Sequence, residues 1–170
     1  MAFTYANTLA QWLVHLADNN LRRALRATLG SLVDRNSSFM LETATLAIKA
    51  GGSTLAKTTE ACYALADGAH VLIADNTDMP ALTGLSITAA SYNVACFFID
   101  RAGTASAKFG REATTIAGVE FPTFPEKNAL IGYLLITHSS TFTGGDTALD
   151  AATTKYFSPV APFDPNARLG

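Results

Sequence analysis

Two long apolar stretches decide the fold class of this chain. Residues 92–99 read YNVACFFI, and residues 129–137 read ALIGYLLIT. Both are almost continuously apolar, and the first ends at the sequence DRAG of residues 100–103, a turn that leads back into residues 104–109. Short apolar runs bounded by turn residues are typical of buried strands. We therefore predict β-strands at 92–99 and 129–137, with the second in the middle of a sheet.

The sequence around these stretches predicts further short strands separated by turns. Alternating apolar residues and hairpin signals such as Asp67-Gly68 support this prediction. The other predicted strands are 39–49, 55–66, 69–74 and 104–109. The predicted turns and loops are 51–53, 67–68, 75–85, 122–125 and 142–146, with a short helix or turn at 147–154. Strands and turns at this spacing indicate a small antiparallel β-sandwich or barrel.

The first 36 residues follow a different pattern. Apolar residues recur there at helical spacing in two runs that are out of phase, which predicts helices at 7–17 and 19–34. We therefore predict a mainly β protein with N-terminal α-helices. Its predicted parts are a helical attachment or assembly segment at 1–36, a β domain at 37–155 and an extended, proline-rich tail at 156–170.

Composition excludes several classes of function. The chain has 170 residues, 15% of them charged, and a net charge of −2. It is therefore not a generically basic nucleic-acid-binding protein. No apolar run reaches the roughly 18 residues of a membrane span, and no basic residue precedes the first apolar stretch as in a secretory signal. The small charged fraction indicates that much of the surface contacts other proteins, and we expect neither nucleic acid nor membrane as a partner.

Residue types that often carry chemistry are isolated in this sequence. His15, His70 and His138 lack a neighbour at metal-ligand spacing, and Cys62 and Cys96 lie in apolar strands, where a thiol behaves as a small hydrophobe. The sequence Ser-Ser at 139–140 lacks the GxSxG motif of a nucleophile elbow. The acidic residues Asp75, Asp78 and Asp100 lack the spacing of a calcium-binding loop. We predict no catalytic residue, no cofactor and no metal site.

Three arginines form the first candidate binding site. Arg22, Arg23 and Arg26 lie on the second predicted helix, with no acidic residue between Asp18 and Asp34. They form either a solvated helix face or a docking site for an acidic partner surface. Residues 1–60 carry a net charge of +2 and residues 61–170 carry −4, so the two parts differ in sign.

An apolar stripe on the first predicted helix is the second candidate site. Its members are Leu9, Trp12, Leu13 and Leu16. Residues at this spacing share one helix face. The stripe either packs on the β domain or forms a self-association seam.

Three motifs follow one another in the second half of the chain. They are YNVACFFIDRAG at 92–103, IGYLLI at 131–136 and FTGGDTAL at 142–149, with Pro122, Phe124 and Pro125 before the second. This order, together with the opening MAFTYANTLA, resembles small structural proteins of tailed bacteriophages over about residues 1–15 and 60–160. The resemblance implies a virion protein that decorates or cements the capsid. Its implied partners are the major capsid protein and further copies of itself, as a homotrimer or another homo-oligomer.

The alternative function is a head-fibre or tail adhesin that binds a glycan or receptor on the host surface. Such a protein would use the loops at 75–90 and 138–147, because binding residues are commonly presented on loops held by a rigid scaffold. Phe124 and Phe142 are the aromatic residues that could stack on a sugar. Neither function requires a catalytic residue.

Overall fold

The computed structural model describes residues 37–161 together with Asn20, Leu21, Arg23 and Leu25. These four residues have helical backbone. The remainder of the predicted helices 7–17 and 19–34 lies outside the described residues. The chain divides into two units, Met1–Asp34 and Arg35–Gly170, and the β-strands belong to the second unit.

Residues 37–161 form eleven β-strands and one short 3-10 helix at Ile116–Gly118. The strands are β1 (Phe39–Met40), β2 (Leu46–Ile48), β3 (Ala56–Thr58), β4 (Cys62–Ala66), β5 (Ala69–Ile73), β6 (Ser86–Ile87), β7 (Tyr92–Ile99), β8 (Ala105–Phe109), β9 (Ala129–Thr137), β10 (Phe142–Thr143) and β11 (Thr153–Phe157). All named pairs are antiparallel. The prediction of a mainly β, antiparallel fold is therefore confirmed.

The strands form four sheets. The largest has the order β11-β9-β7-β8, a second has the order β1-β4-β5, and β2-β3 and β6-β10 form two-stranded sheets. The two apolar stretches are the central strands of the largest sheet, as predicted for 129–137. In the described part of the chain no sheet closes on itself, so the barrel alternative is wrong.

Both faces of the four-stranded sheet are buried. One face carries Phe97, Ile131 and Leu134, which belong to a core shared with the other three sheets. The opposite face carries a second cluster, centred on Phe98 and Tyr133, that is covered by the segment after β8. A strand that is buried on both faces needs apolar residues at every position. This explains why β7 and β9 are continuous apolar runs.

Two predicted strands are each divided into two short ones. Residues 39–49 contain β1 and β2, and residues 55–66 contain β3 and β4, in different sheets. Thr45 has a φ of 44°, a left-handed conformation that interrupts an extended strand. Its carbonyl accepts hydrogen bonds from the backbone N–H and the hydroxyl of Thr59. The two breaks therefore face each other, and the chain changes sheet there.

The Asp67-Gly68 hairpin is confirmed, whereas the end of the chain differs from the prediction. Asp67 and Gly68 have φ values of 50° and 73°, the pair of positive angles that a two-residue hairpin turn requires. Strand β11 crosses the predicted boundary between the β domain and the tail at 155/156. It pairs with β9 along its whole length, and Ser158 Oγ then accepts a hydrogen bond from the Leu46 N–H.

Candidate protein-binding surface

An apolar surface lies on the side of the β1-β4-β5 sheet that faces away from the core. Its side chains form two rows across the sheet, because residues opposite each other in antiparallel strands share a face. One row is Phe39, Leu65 and His70, and the other is Leu41, Tyr63 and Leu72. We call these six residues the outer face.

The outer face is accessible. Tyr63 keeps 45% of its surface exposed and Leu72 keeps 56%, and Leu41 and His70 are exposed as well. Large apolar side chains gathered on one exposed surface are a mark of protein–protein contact sites, whereas scattered ones are ordinary. Tyrosine is also enriched at the centre of protein interfaces.

Side chains along β4 alternate between the two faces of the sheet, and the large ones point outward. Cys62, Ala64 and Ala66 of β4 are fully buried. The flanking strands add the larger Met40, Val71 and Ile73 to the same inner face. Because successive side chains of a strand point to opposite faces, Tyr63 and Leu65 occupy the outer side. The alternation of small and large apolar residues at 62–66 was the sequence signal for this surface, and sequence reasoning missed it.

Three carboxylates lie at one end of the outer face. Glu42 follows Leu41, Glu60 precedes β4 and Asp75 follows β5, and the strand register places all three at the same end of the sheet. All three are exposed, and within the described residues none forms an ion pair. The Glu42 carboxylate accepts a hydrogen bond of 3.2 Å from the Tyr63 N–H, which holds it beside the apolar rows.

The opposite end of the outer face carries one carboxylate and two basic groups. The carboxylate of Asp67 lies 3.5 Å from Lys127 Nζ and 3.9 Å from Arg101 Nη1. The backbone N–H of Asp67 donates a hydrogen bond to Ser38 Oγ. Because Asp67 is paired with basic groups here and the three carboxylates at the other end form no ion pair within the described residues, the outer face presents a net negative charge at one end only.

Most of the predicted site residues lie outside the described residues. These are Arg22, Arg26, Leu9, Trp12, Leu13 and Leu16. Arg23 is described, and it is exposed on helical backbone. Its neighbours Leu21 and Leu25 are exposed too.

The described histidines and cysteines lie apart from one another. Cys62 and Cys96 are buried free thiols in β4 and β7. Burial, with a smaller contribution from the Glu42 carboxylate, raises the pKa of Cys62 to about 11, and burial raises the pKa of Cys96 further. Both thiols therefore stay protonated near neutral pH, which makes them poor nucleophiles and poor metal ligands. His70 lies on the outer face, and His15 is not among the described residues.

One histidine contacts a hydroxyl group. The Ser140 backbone N–H donates a hydrogen bond of 3.1 Å to His138 Nδ1, and Ser140 Oγ lies 2.9 Å from the same nitrogen. Within the described residues no carboxylate contacts this pair. The two residues are two positions apart in an exposed turn, so the contact closes the turn.

The acidic residues considered as cation ligands have other partners. Asp78 lies 2.5 Å from Lys49 Nζ, and Asp100 accepts hydrogen bonds from the N–H groups of Ala102 and Thr104 in its turn. Residues 37–161 hold no group of three or more His, Cys, Asp or Glu side chains near enough to share a metal ion.

The two loops named for the adhesin function lie side by side. Strand β6 in the first pairs with β10 in the second, and the N–H groups of Ala90 and Gly144 donate to the carbonyls of His138 and Leu85. The two aromatic residues that could stack on a sugar are not at the surface, however. Phe142 is fully buried, and Phe124 is half-buried, with its ring 5.0 Å edge-on from that of Phe98.

Comparisons with known proteins add no relative. No protein-family model, curated protein or solved structure matches this chain. Among the described residues, there is no helix with the length and apolar character needed to cross a membrane.

Proposed function

We propose that this protein is a structural component of a bacteriophage virion and that it decorates and stabilises the capsid through protein–protein contacts. The observation that supports the proposal is the outer face, a surface of five large apolar residues and one histidine on a rigid sheet. The resemblance of residues 92–103, 131–136 and 142–149 to small phage structural proteins supplies the virion context.

The geometry suits a protein that acts by covering a surface. The inner side of the β1-β4-β5 sheet is fixed on the shared core, so the outer face is presented without a cost for ordering it. Each square ångström of apolar surface buried against a neighbour contributes about 25 cal/mol. Many copies on a lattice reinforce one another, because the loss of a single contact does not release the protein.

Counting copies in purified particles tests the proposal. A decoration protein is present in hundreds of copies per particle, whereas a fibre or adhesin is present in few. We expect high copy number by quantitative mass spectrometry, and particles without the protein that break at lower temperature or lower osmotic stress. Absence from particles would overturn the proposal.

The alternative, a head-fibre or tail adhesin, draws on one observation. The loops at 75–90 and 138–147 form one continuous surface through the β6-β10 pair. That surface presents small polar residues such as Thr88, Thr141 and Thr143. Binding of purified protein to host cells, with a low copy number in particles, would favour this function over decoration.

A further inference from the structure

We propose that the outer face binds the helical residues Leu21 and Leu25 of a second copy of this chain. This inference rests on the proposed function, because it names a partner for the same surface. The contact joins one surface of one copy to a different surface of the next.

Apolar side chains are exposed on both surfaces. Leu21 and Leu25 expose 66% and 56% of their surface. They have helical backbone, and residues four positions apart lie on the same side of a helix. Leu72 and Tyr63 are the corresponding exposed side chains of the outer face. A pair of helical leucines set against a row of apolar residues is a common mode of helix recognition.

Charge favours the same pairing. Residues 1–36 carry four arginines and two aspartates, a net charge of +2. Residues 37–161 carry eleven acidic and seven basic residues, a net charge of −4. Arg22 and Arg26 directly follow Leu21 and Leu25 in the sequence, and Glu60 and Asp75 are exposed at the acidic end of the outer face. Opposite charges at the edge of an apolar contact set its orientation and speed its formation.

The pairing joins unlike surfaces, which has a geometric consequence. A heterologous contact between identical copies produces a closed ring when its rotation closes, and an open chain when it does not. The homotrimer predicted from the family resemblance is one such ring. Two surfaces on every copy also let neighbours on a capsid link to one another.

Sedimentation velocity of the full-length protein tests the contact in solution, without capsids. Leu72→Lys should raise the dissociation constant for self-association about tenfold or more, as changes at an interface centre do. Ser86→Lys is the matched control, because it places the same charge at an exposed strand position on another sheet. A wild-type chain that stays monomeric at all concentrations, or equal effects of both changes, would overturn the proposal.

A charge exchange tests the orientation. Arg22→Glu and Glu60→Arg should each weaken association, and more strongly at low salt because salt screens exposed charges. Both changes in one chain should restore it, since every contact then regains an opposite pair. If the double variant self-associates no more tightly than the weaker of the two single variants, this orientation is wrong.

Mixing two defective variants distinguishes the proposed occupant from the alternatives. Leu25→Lys damages the helical surface and Leu72→Lys damages the outer face, and the two lysines repel each other, so a mixture retains one intact contact per pair. At a concentration at which each variant alone is monomeric, we expect the mixture to form heterodimers and nothing larger. If Leu25→Lys associates normally while Leu72→Lys does not, the outer face pairs with another outer face, and the inference is wrong. Normal self-association of a protein that is absent from particles would overturn the capsid function alone.

Discussion

Two neighbouring residues of β5 allow the stability of the fold and binding by the outer face to be tested separately. Leu72 points outward and exposes 56% of its surface, whereas Ile73 points inward and exposes 3%. They are paired across the sheet with Tyr63 and Cys62, respectively. Truncating each to alanine removes a similar amount of hydrocarbon from opposite sides of the same strand.

The expected losses of stability differ several-fold. Ile73→Ala leaves a cavity in the core and should cost about 2–5 kcal/mol of unfolding free energy. At roughly 2–4 °C per kcal/mol for a chain of this size, the melting temperature should fall by about 4–20 °C. Full burial of a leucine side chain is worth about 1.5–3 kcal/mol. Because more than half of Leu72 is in water, Leu72→Ala should cost about 1 kcal/mol or less.

Thermal and urea melts at low protein concentration measure these losses, because self-association would otherwise add to the apparent stability. Sedimentation at higher protein concentration measures self-association. In that measurement Leu72→Ala should have the larger effect of the two changes. Leu72→Ala should weaken self-association, and Ile73→Ala should leave it unchanged while the protein is folded. If Leu72→Ala lowers the melting temperature as much as Ile73→Ala, the outer face belongs to the core and the reasoning fails.

Four further predictions concern the rest of the chain. Gly144→Ala should destabilise the protein by about 2 kcal/mol or more, measured by urea unfolding, because a Cβ there would clash with the Leu82 carbonyl group. The pKa of Cys62 is raised by burial to about 11, so its contribution to stability is complete below about pH 9 and is lost as the pH rises toward 11. Urea midpoints between pH 8 and 11 should therefore fall less steeply in Cys62→Ala than in the wild type. Deleting residues 1–36 should leave a β domain that melts cooperatively, because the buried core residues that the structure describes lie between Met40 and Ala152, and it should abolish self-association in sedimentation. Chelator should leave the melting temperature unchanged, and stoichiometric metal with a large drop in that temperature would contradict the prediction of no metal site.

Local features of the sequence predicted the parts of the fold that depend on few neighbours. The bounds of β7 and β9 agree with the predicted strands at 92–99 and 129–137, because a strand buried on both faces needs apolar residues throughout. The Asp67-Gly68 turn was predictable because its positive φ angles restrict which residues fit. The broken strands at 39–49 and 55–66 were not, since their breaks depend on Thr45 and Thr59 meeting across the fold.

The sequence by itself determined the mainly β class, the two central strands and the opposite charges of the two ends of the chain. Tertiary structure alone decided which side of each short strand faces the core. Residues 62–66 read CYALA, and both sets of alternate side chains are apolar enough for burial. The fold buries Cys62, Ala64 and Ala66, because pairing with β1 and β5 sets them on the same side of the sheet as the larger core residues Met40, Val71 and Ile73. Tyr63 and Leu65 are therefore placed outside, where they form the surface on which the proposed function depends.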